Sequence, residues 1–480
     1  MSNSRLKDLR GQNRRTFLRL FGAATAAFAL DRTRALNWLF DQGGDALAGP
    51  ASCSPTNRSV HVIGGNGSFA WFQLLWPHLD VAASNNDSFA YHSFDVPGTL
   101  YTPGGGNMPF YYAPEAPWME GGKPTRPVTA FMSGANETHT QTPVTPAIVS
   151  NNSTMLATVA SIQRANPCLV PVIGVEPVNF GTAAGAPSIA TVPSATGMID
   201  LFNSAAAQLT LLAQEDKSLY ETYYKAIVSL RDAAGRPTWT RHLDTAKTAT
   251  NLLGRNLSGV LTPSQADLDA YGVTALNTSQ AGAIAKSRLT NLGRALITTS
   301  KAFKLGLTNS VIIGLSPGAT SEQTFVDPHV VLEGASTINS TKATVAAIGK
   351  IFDAFYKDLA ATNDPGCAGS TYADTTIFTV HGDTPHTPLQ GSAWPDATPK
   401  NSNWIYVMGG GHLRTGWFGG VHADGSVDGF NPATGAAMPG KSSNETSTAA
   451  GAAVAYAVAK GDMTLVTPFS GEMDLKGILV

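Results

Sequence analysis

Charge is scarce in this sequence. Asp, Glu, Lys and Arg make up 14% of its 480 residues and the formal net charge is -2. There is no basic stripe of the kind that neutralises a phosphate backbone, so nucleic acid is excluded as a partner class. Cysteine is scarcer still. Cys53, Cys168 and Cys367 show none of the spacings that hold zinc or an iron–sulfur cluster. In an oxidising compartment they allow one disulfide with one thiol left over; three unpaired buried thiols fit the sequence equally well. There is no haem-attachment motif, and the Gly-rich GGNGSF, Gly64 to Phe69, lacks the dinucleotide spacing. A bulky redox cofactor therefore ranks last. No repeat of fixed period is present. No stretch beyond the N-terminal segment is apolar enough over the ~20 residues that a membrane span requires.

The composition does provide a large core, with 43% hydrophobic residues. Length alone suggests about two or three domains, and one large α/β domain of this size is also common. Glycine is abundant at 48 residues, and Ser, Thr and Asn are plentiful; the mix favours long ordered loops and an exported protein. The first residues agree. Arg5, Lys7, Arg10, Arg14 and Arg15 precede a short apolar run, Leu20 to Leu30, that ends in small residues. This is the form of an export signal, and RRTFLR, Arg14 to Arg19, matches the twin-arginine pattern. Ala27-Phe28-Ala29 offers a cleavage site, with Ala46-Leu47-Ala48 as a later alternative. The expected organisation is a signal over 1–29, a linker over 30–58 and one domain over 59–480. The twin-arginine export machinery is then a partner, and the mature chain works in a bacterial periplasm or outside the cell.

Short apolar runs alternate with helical patterns along the rest of the chain. Strands are expected at SVHVIGG (Ser59–Gly65), LVPVIGV (Leu169–Val175), SVIIGL (Ser310–Leu315), TTIFTV (Thr375–Val380) and NWIYVM (Asn403–Met408). Helical character runs over Pro146–Ala165, through much of Met198–Ala302, and over Thr446–Val458. In Thr341–Leu359, apolar residues at Val345, Ile348, Phe352, Phe355 and Leu359 give one buried helical face. Asn85–Thr142 shows no sustained period and reads as loop. The alternation predicts an α/β fold, a mostly parallel sheet with helices on both faces. Chemistry in such sheets gathers at the carboxyl ends of the strands.

Candidate residues follow the predicted strands. FVDPHVV places Asp327 and His329 two apart; VHGDTPH places His381, Asp383 and His386 directly after a strand; His412 and His422 flank a glycine-rich turn; His139, between Thr138 and Thr140, lies in the long loop. Imidazole and carboxylate on successive strand-end loops suit zinc, manganese or iron. A bound cation there activates water or polarises a phosphoryl or sulfuryl oxygen. The same residues serve equally as helix caps and backbone anchors, and for His412 and His422 the structural role is favoured.

VHVIGGNG, VDPHVVLEG and TTIFTVHGDTPHTPLQGSAWPD, followed by NWIYVMGGGHLRTGWFGG, occur in an order that, with the twin-arginine start, resembles a family of exported bacterial proteins with an alkaline-phosphatase/sulfatase-like fold. The resemblance covers most of the chain after residue 58. It implies a metal-dependent hydrolase of phosphate or sulfate esters in which Asp327 and His329 fit an Asp-x-His element; the expected ligands are these two with His381 and Asp383, and the residues alone add His386, His412 and His139 as weaker candidates. The chain departs from the family at telling places. Gly67 stands where a carboxylate follows Gly-Gly-Asn, His381-Gly382-Asp383 replaces an acid-and-arginine element, and Ser392-Ala393 replaces Asp-His before Trp394-Pro395. Gly409-Gly410-Gly411 keeps the glycine turn. These departures leave a second expectation open, a non-catalytic periplasmic or cell-surface binding protein on the same fold. Its small-molecule or surface partner would meet aromatic loops such as FAWFQLLW and MPFYYAPEAPW.

Overall fold

The computed structural model describes residues 53–64, 99–101, 110–112, 119–120, 123–134, 147–150, 152–210, 257–276, 283–315, 335–381, 402–421, 427–440 and 443–480. The expected export signal lies outside them. The chain divides into two compact units, Gly49–Phe202 with Asn256–Val480, and Met1–Ala48 with Asn203–Arg255. The first holds the sheet described below.

Eight strands form the main sheet: β1 (Arg58–Gly64), β2 (Val128–Gly134), β3 (Val172–Val175), β4 (Ala190–Val192), β5 (Ser310–Leu315), β6 (Thr376–His381), β7 (Ser402–Met408) and β8 (Gly416–Phe418). Their spatial order is β4-β3-β5-β1-β6-β7-β2-β8. Every strand but β7 runs the same way; β7 is antiparallel to both β6 and β2. The α/β class and mostly parallel sheet are as expected, with β7 as the exception. The helices are α1 (Met155–Gln163), α2 (Ala195–Thr210), α3 (Leu257–Leu261), α4 (Gln265–Ala270), α5 (Ala283–Lys304), α6 (Ala335–Ala360), α7 (Ser443–Val458) and α8 (Met463–Ser470).

β1 is central, paired in parallel with β5 on one side and β6 on the other. All but its first residue are buried, which is why SVHVIG reads as an almost unbroken apolar run. Successive side chains alternate between the two faces. On one face Ile63, Ile312, Ile377, Ile405 and Val407 pack under α1 and α7. On the other, Phe378 of β6 meets Phe352 and Phe355 of α6, with ring centroids 4.8 Å and 5.8 Å away. α5 packs beside α6 and against β5. The expected helical face is present: Ile348, Phe352, Phe355 and Leu359 are all buried.

α7 is rich in alanine and nearly fully buried, from Ala449 to Val458. A helix apolar on all sides belongs in the interior, and its small side chains allow close approach. At Gly451 a Cβ would fall 2.4 Å from the carbonyl oxygen of Ile148, so only glycine fits there.

β2 corrects one expectation. The reading of Asn85–Thr142 as loop missed VTAFMSG, which pairs with β7 and β8 inside the sheet. Val128 to Met132 are all buried, so the strand shows no alternation of apolar and polar residues, and glycine- and proline-rich stretches surround it.

The entry to β1 is pinned by several contacts. Cys53 is disulfide-bonded to Cys367; Cys168 is buried outside that bond and accepts from the Asn309 amide at 3.0 Å. Arg58 pairs with the buried carboxylate of Asp364 at 2.6 Å and lies over the Tyr372 ring at 4.6 Å. The Asn57 amide donates to Ala457 O at 2.9 Å. The end of the expected linker over 30–58 is thus bound to the domain.

The bridge links positions 314 residues apart. Closing so long a loop restrains the unfolded chain, and losing such a bond typically costs about 2–5 kcal/mol. Cys53→Ser is expected to lower the urea midpoint, and dithiothreitol is expected to lower the wild-type midpoint to the same value. A mutant as stable as the oxidised wild type would contradict the pairing.

Candidate functional site

The carboxyl ends of β1, β2, β3, β5 and β6 share one edge of the sheet, because these strands point the same way. From that edge the chain continues into 65–98, 135–146, 316–334 and 382–401, segments outside the described residues. Asp327, His329, Asp383, His386 and His139 belong to these segments and so lie outside the described residues, as does His422. His381 and His412 are described, and the structure separates them.

His381 is the last residue of β6. Its partners follow from strand register. In the parallel pairing His61 of β1 stands opposite Thr379, and Ile63 opposite His381. Period-two alternation therefore puts His61, Thr379 and His381 on one face, beneath α1 and α7. His61 Nδ1 lies 2.7 Å from Thr379 Oγ1, and the same oxygen lies 2.6 Å from His381 Nε2. The two imidazoles stand edge to face with centroids 6.0 Å apart. All three side chains are 0% exposed. The other ring nitrogens, Nε2 of His61 and Nδ1 of His381, find no hydrogen-bond partner among the described residues.

Burial decides the charge of both rings. An imidazolium without a counter-ion is disfavoured away from water. His61 is lowered from 6.5 to about 3 by desolvation. His381 is pushed well below the ordinary imidazole value, first by desolvation and then by the neighbouring His61. Both are neutral at physiological pH, the state in which an imidazole nitrogen serves as a metal ligand or a base.

A second polar group sits further toward the amino ends of the same strands. Ser59 and Ser310 meet at 3.0 Å, and Gln163 of α1 donates to Asn57 O at 2.8 Å and to Ser59 Oγ at 3.1 Å. Backbone carbonyls and hydroxyls satisfy it, so it reads as a polar clasp between helix and sheet.

His412 lies at the opposite edge. The turn before it, Gly409–Gly411, follows β7, and Gly409 N donates to Pro127 O just before β2. Gly409 has φ +98°, and a Cβ there would come 2.6 Å from Thr376 O at the start of β6. The His412 ring stands edge to face with Tyr456 at 6.4 Å, and burial and then nearby Lys460 lower its pKa. Its carbonyl accepts from Val480 N. These contacts fasten the carboxyl terminus.

Glu176 went unremarked in the sequence. It directly follows β3 at the same edge as His381, with φ 65°, a region uncommon for residues other than glycine. Arg288 of α5 donates to both of its carboxylate oxygens, at 2.9 Å and 3.1 Å, which holds the acid in place. His61 was also missed as a functional candidate. Its only signal was a titratable residue inside an apolar run.

Among the described residues no group of three or more His, Cys, Asp or Glu is placed to hold a metal ion. No helix among them is long and apolar enough to cross a membrane. No family model, curated protein or solved structure matches the chain.

The depressed histidine values give a pH dependence with a definite sign. A group whose pKa is lower folded than unfolded stabilises the fold above its unfolded value, and that contribution is lost as pH falls toward the folded value. Stability of the chelator-treated protein is expected to decline from pH 6.5 toward about 3. His61 alone would contribute up to ~1.4 kcal/mol per pH unit. His61→Gln should show a shallower decline in urea unfolding between pH 7 and 5. Parallel curves for the two proteins would mean that His61 is not buried as a neutral ring.

Proposed function

We propose that the chain is an exported, metal-dependent hydrolase of phosphate or sulfate esters, on an alkaline-phosphatase/sulfatase-like fold, working at the edge where β1, β2, β5 and β6 end. The observation that carries this reading is His381. It is a buried, neutral imidazole at that edge, with Nε2 held by Thr379 and Nδ1 without a partner among the described residues. An orphaned nitrogen of that kind fits a metal ligand. The segments that leave the sheet there carry the acids and imidazoles the chemistry needs. Asp327, His329, His381 and Asp383 would hold the ion, zinc, manganese or iron. When bound it would polarise a phosphoryl or sulfuryl oxygen or activate water. The bond between Cys53 and Cys367 supports an oxidising compartment, in keeping with the twin-arginine signal.

A second reading has its own support. Gly67 and Ala393 replace a carboxylate and a histidine of the resembled family, which favours a non-catalytic protein that binds a small molecule or surface partner at the same edge.

Elemental analysis of protein recovered from the periplasm is expected to find at least one zinc, manganese or iron per chain. Asp327→Ala combined with His381→Ala should abolish both that metal and turnover of nitrophenyl phosphate or sulfate. Stoichiometric metal without turnover on a broad ester panel would favour the binding protein. Absence of metal from the wild type would overturn the hydrolase.

For the compartment, replacing Arg14 and Arg15 together by lysine is expected to retain the precursor in the cytoplasm, read by fractionation and immunoblot. Unchanged export would refute the twin-arginine route.

A further inference from the structure

The face that carries His61 also carries Ile63, Ile312, Ile377, Ile405 and Val407, besides the self-satisfied group of Ser59 and Ser310 nearer the amino ends. An aliphatic residue in place of His61 would pack there without an unsatisfied nitrogen. A buried polar group left partly unpaired calls for a reason beyond packing. Among the described residues the His61 side chain has one hydrogen-bond partner, Thr379 Oγ1, and that oxygen's other ring partner is His381.

A hydroxyl has one proton to give, and a neutral imidazole has one N–H. The three groups therefore order one another. If Thr379 donates to His61 Nδ1, it can only accept from His381 Nε2–H, and His381 Nδ1 keeps a bare lone pair. If Thr379 donates to His381 Nε2, then His381 carries its proton on Nδ1 and has no lone pair there to offer. The direction of the hydroxyl thus decides whether the free nitrogen of His381 is an acceptor or a donor.

We propose that His61 and Thr379 are positioning residues for His381: the His61 Nδ1–Thr379 Oγ1–His381 Nε2 chain fixes His381 in the Nε2–H tautomer and presents the lone pair of Nδ1 to a metal ion. This rests on the metal-dependent reading above. It parallels the general arrangement in which a ligating histidine donates its second N–H to an oxygen that sets ring orientation.

The test uses the full chain, chelator-treated and folded, with Zn²⁺ alone as probe. Histidine-selective ¹⁵N NMR of the metal-free protein reads the tautomer, with the His381 resonances assigned by their loss in His381→Asn. Nε2–H is expected in the wild type and in Thr379→Ser, and a mixture of tautomers in Thr379→Val. Zn²⁺ affinity, measured by competition with a chromophoric chelator, is expected to fall 10–100-fold in Thr379→Val and to recover in Thr379→Ser. An Nδ1–H tautomer in the wild type would overturn the proposal. So would a Thr379→Val protein with wild-type tautomer and wild-type affinity, in which case the metal site would stand without this positioning chain. Should the wild type bind no Zn²⁺ while its His381 is Nε2–H and Thr379→Val releases it, the positioning chain stands and the metal-dependent reading falls. If Thr379→Val fails to fold, the wild-type and Thr379→Ser spectra still decide between the tautomers.

Discussion

The pairing of β1 with β5 and β6 is the constraint from which the rest follows. Hydrogen-bonded on both sides and covered on both faces, β1 leaves the side chains after Arg58 no route to water. Each must be apolar or bonded to a neighbour. The same register that buries Val60 and Val62 sets His61 beside Thr379 and brings His381 into line. A one-residue slip would turn every one of these side chains to the other face, so the polar trio and the aliphatic packing around it are specified together.

The two helical layers complete that burial in different ways. α5 and α6 cover one face with large residues such as Phe303, Phe352 and Phe355. α7 covers the other with alanine and valine, close enough that Gly451 nearly touches the backbone of Ile148. By strand register His61 and His381 lie on the α7 side of the sheet. Charge is used sparingly within this core. The buried pair Arg58–Asp364 sits at the mouth of β1, where Thr375 and the backbone N–H of Gly366 also donate to the carboxylate. Asp364 is held below the ordinary carboxylate range despite a burial penalty that opposes it, chiefly through hydrogen bonding and the charge of Arg58.

Much of this was legible in the sequence because it rests on local pattern. Ser310–Leu315 is a strand over the residues its apolar run marks, and Ile348, Phe352, Phe355 and Leu359 form a buried stripe at helical spacing. His381 was legible as a candidate since it ends an apolar run at the edge where such sheets place chemistry. Three things were not. Val128 to Met132 of VTAFMSG are buried on both faces and carry no period. The reversal of β7 depends on pairing between distant segments and leaves no mark on its composition. The link from His61 to Thr379 spans 318 positions, and only the register of two strands brings them together. A histidine inside VHVIG looks like any satisfied core residue until its partner is known.

The reversed direction of β7 has one further consequence. Its first residue, Ser402, lies at the same edge as the last residue of β6, His381, and the two strands are neighbours. Segment 382–401 therefore leaves and re-enters the sheet at one edge, on neighbouring strands about 5 Å apart in the pairing direction, with Ile405 standing opposite His381. Both ends are fixed by the ladder. Doubling the length of such a closed excursion adds only about 0.6 kcal/mol of closure entropy. Beyond Asp383 the domain can accept insertion here with its ladder undisturbed, so this is where descendants of the chain would be freest to diverge in what they recognise.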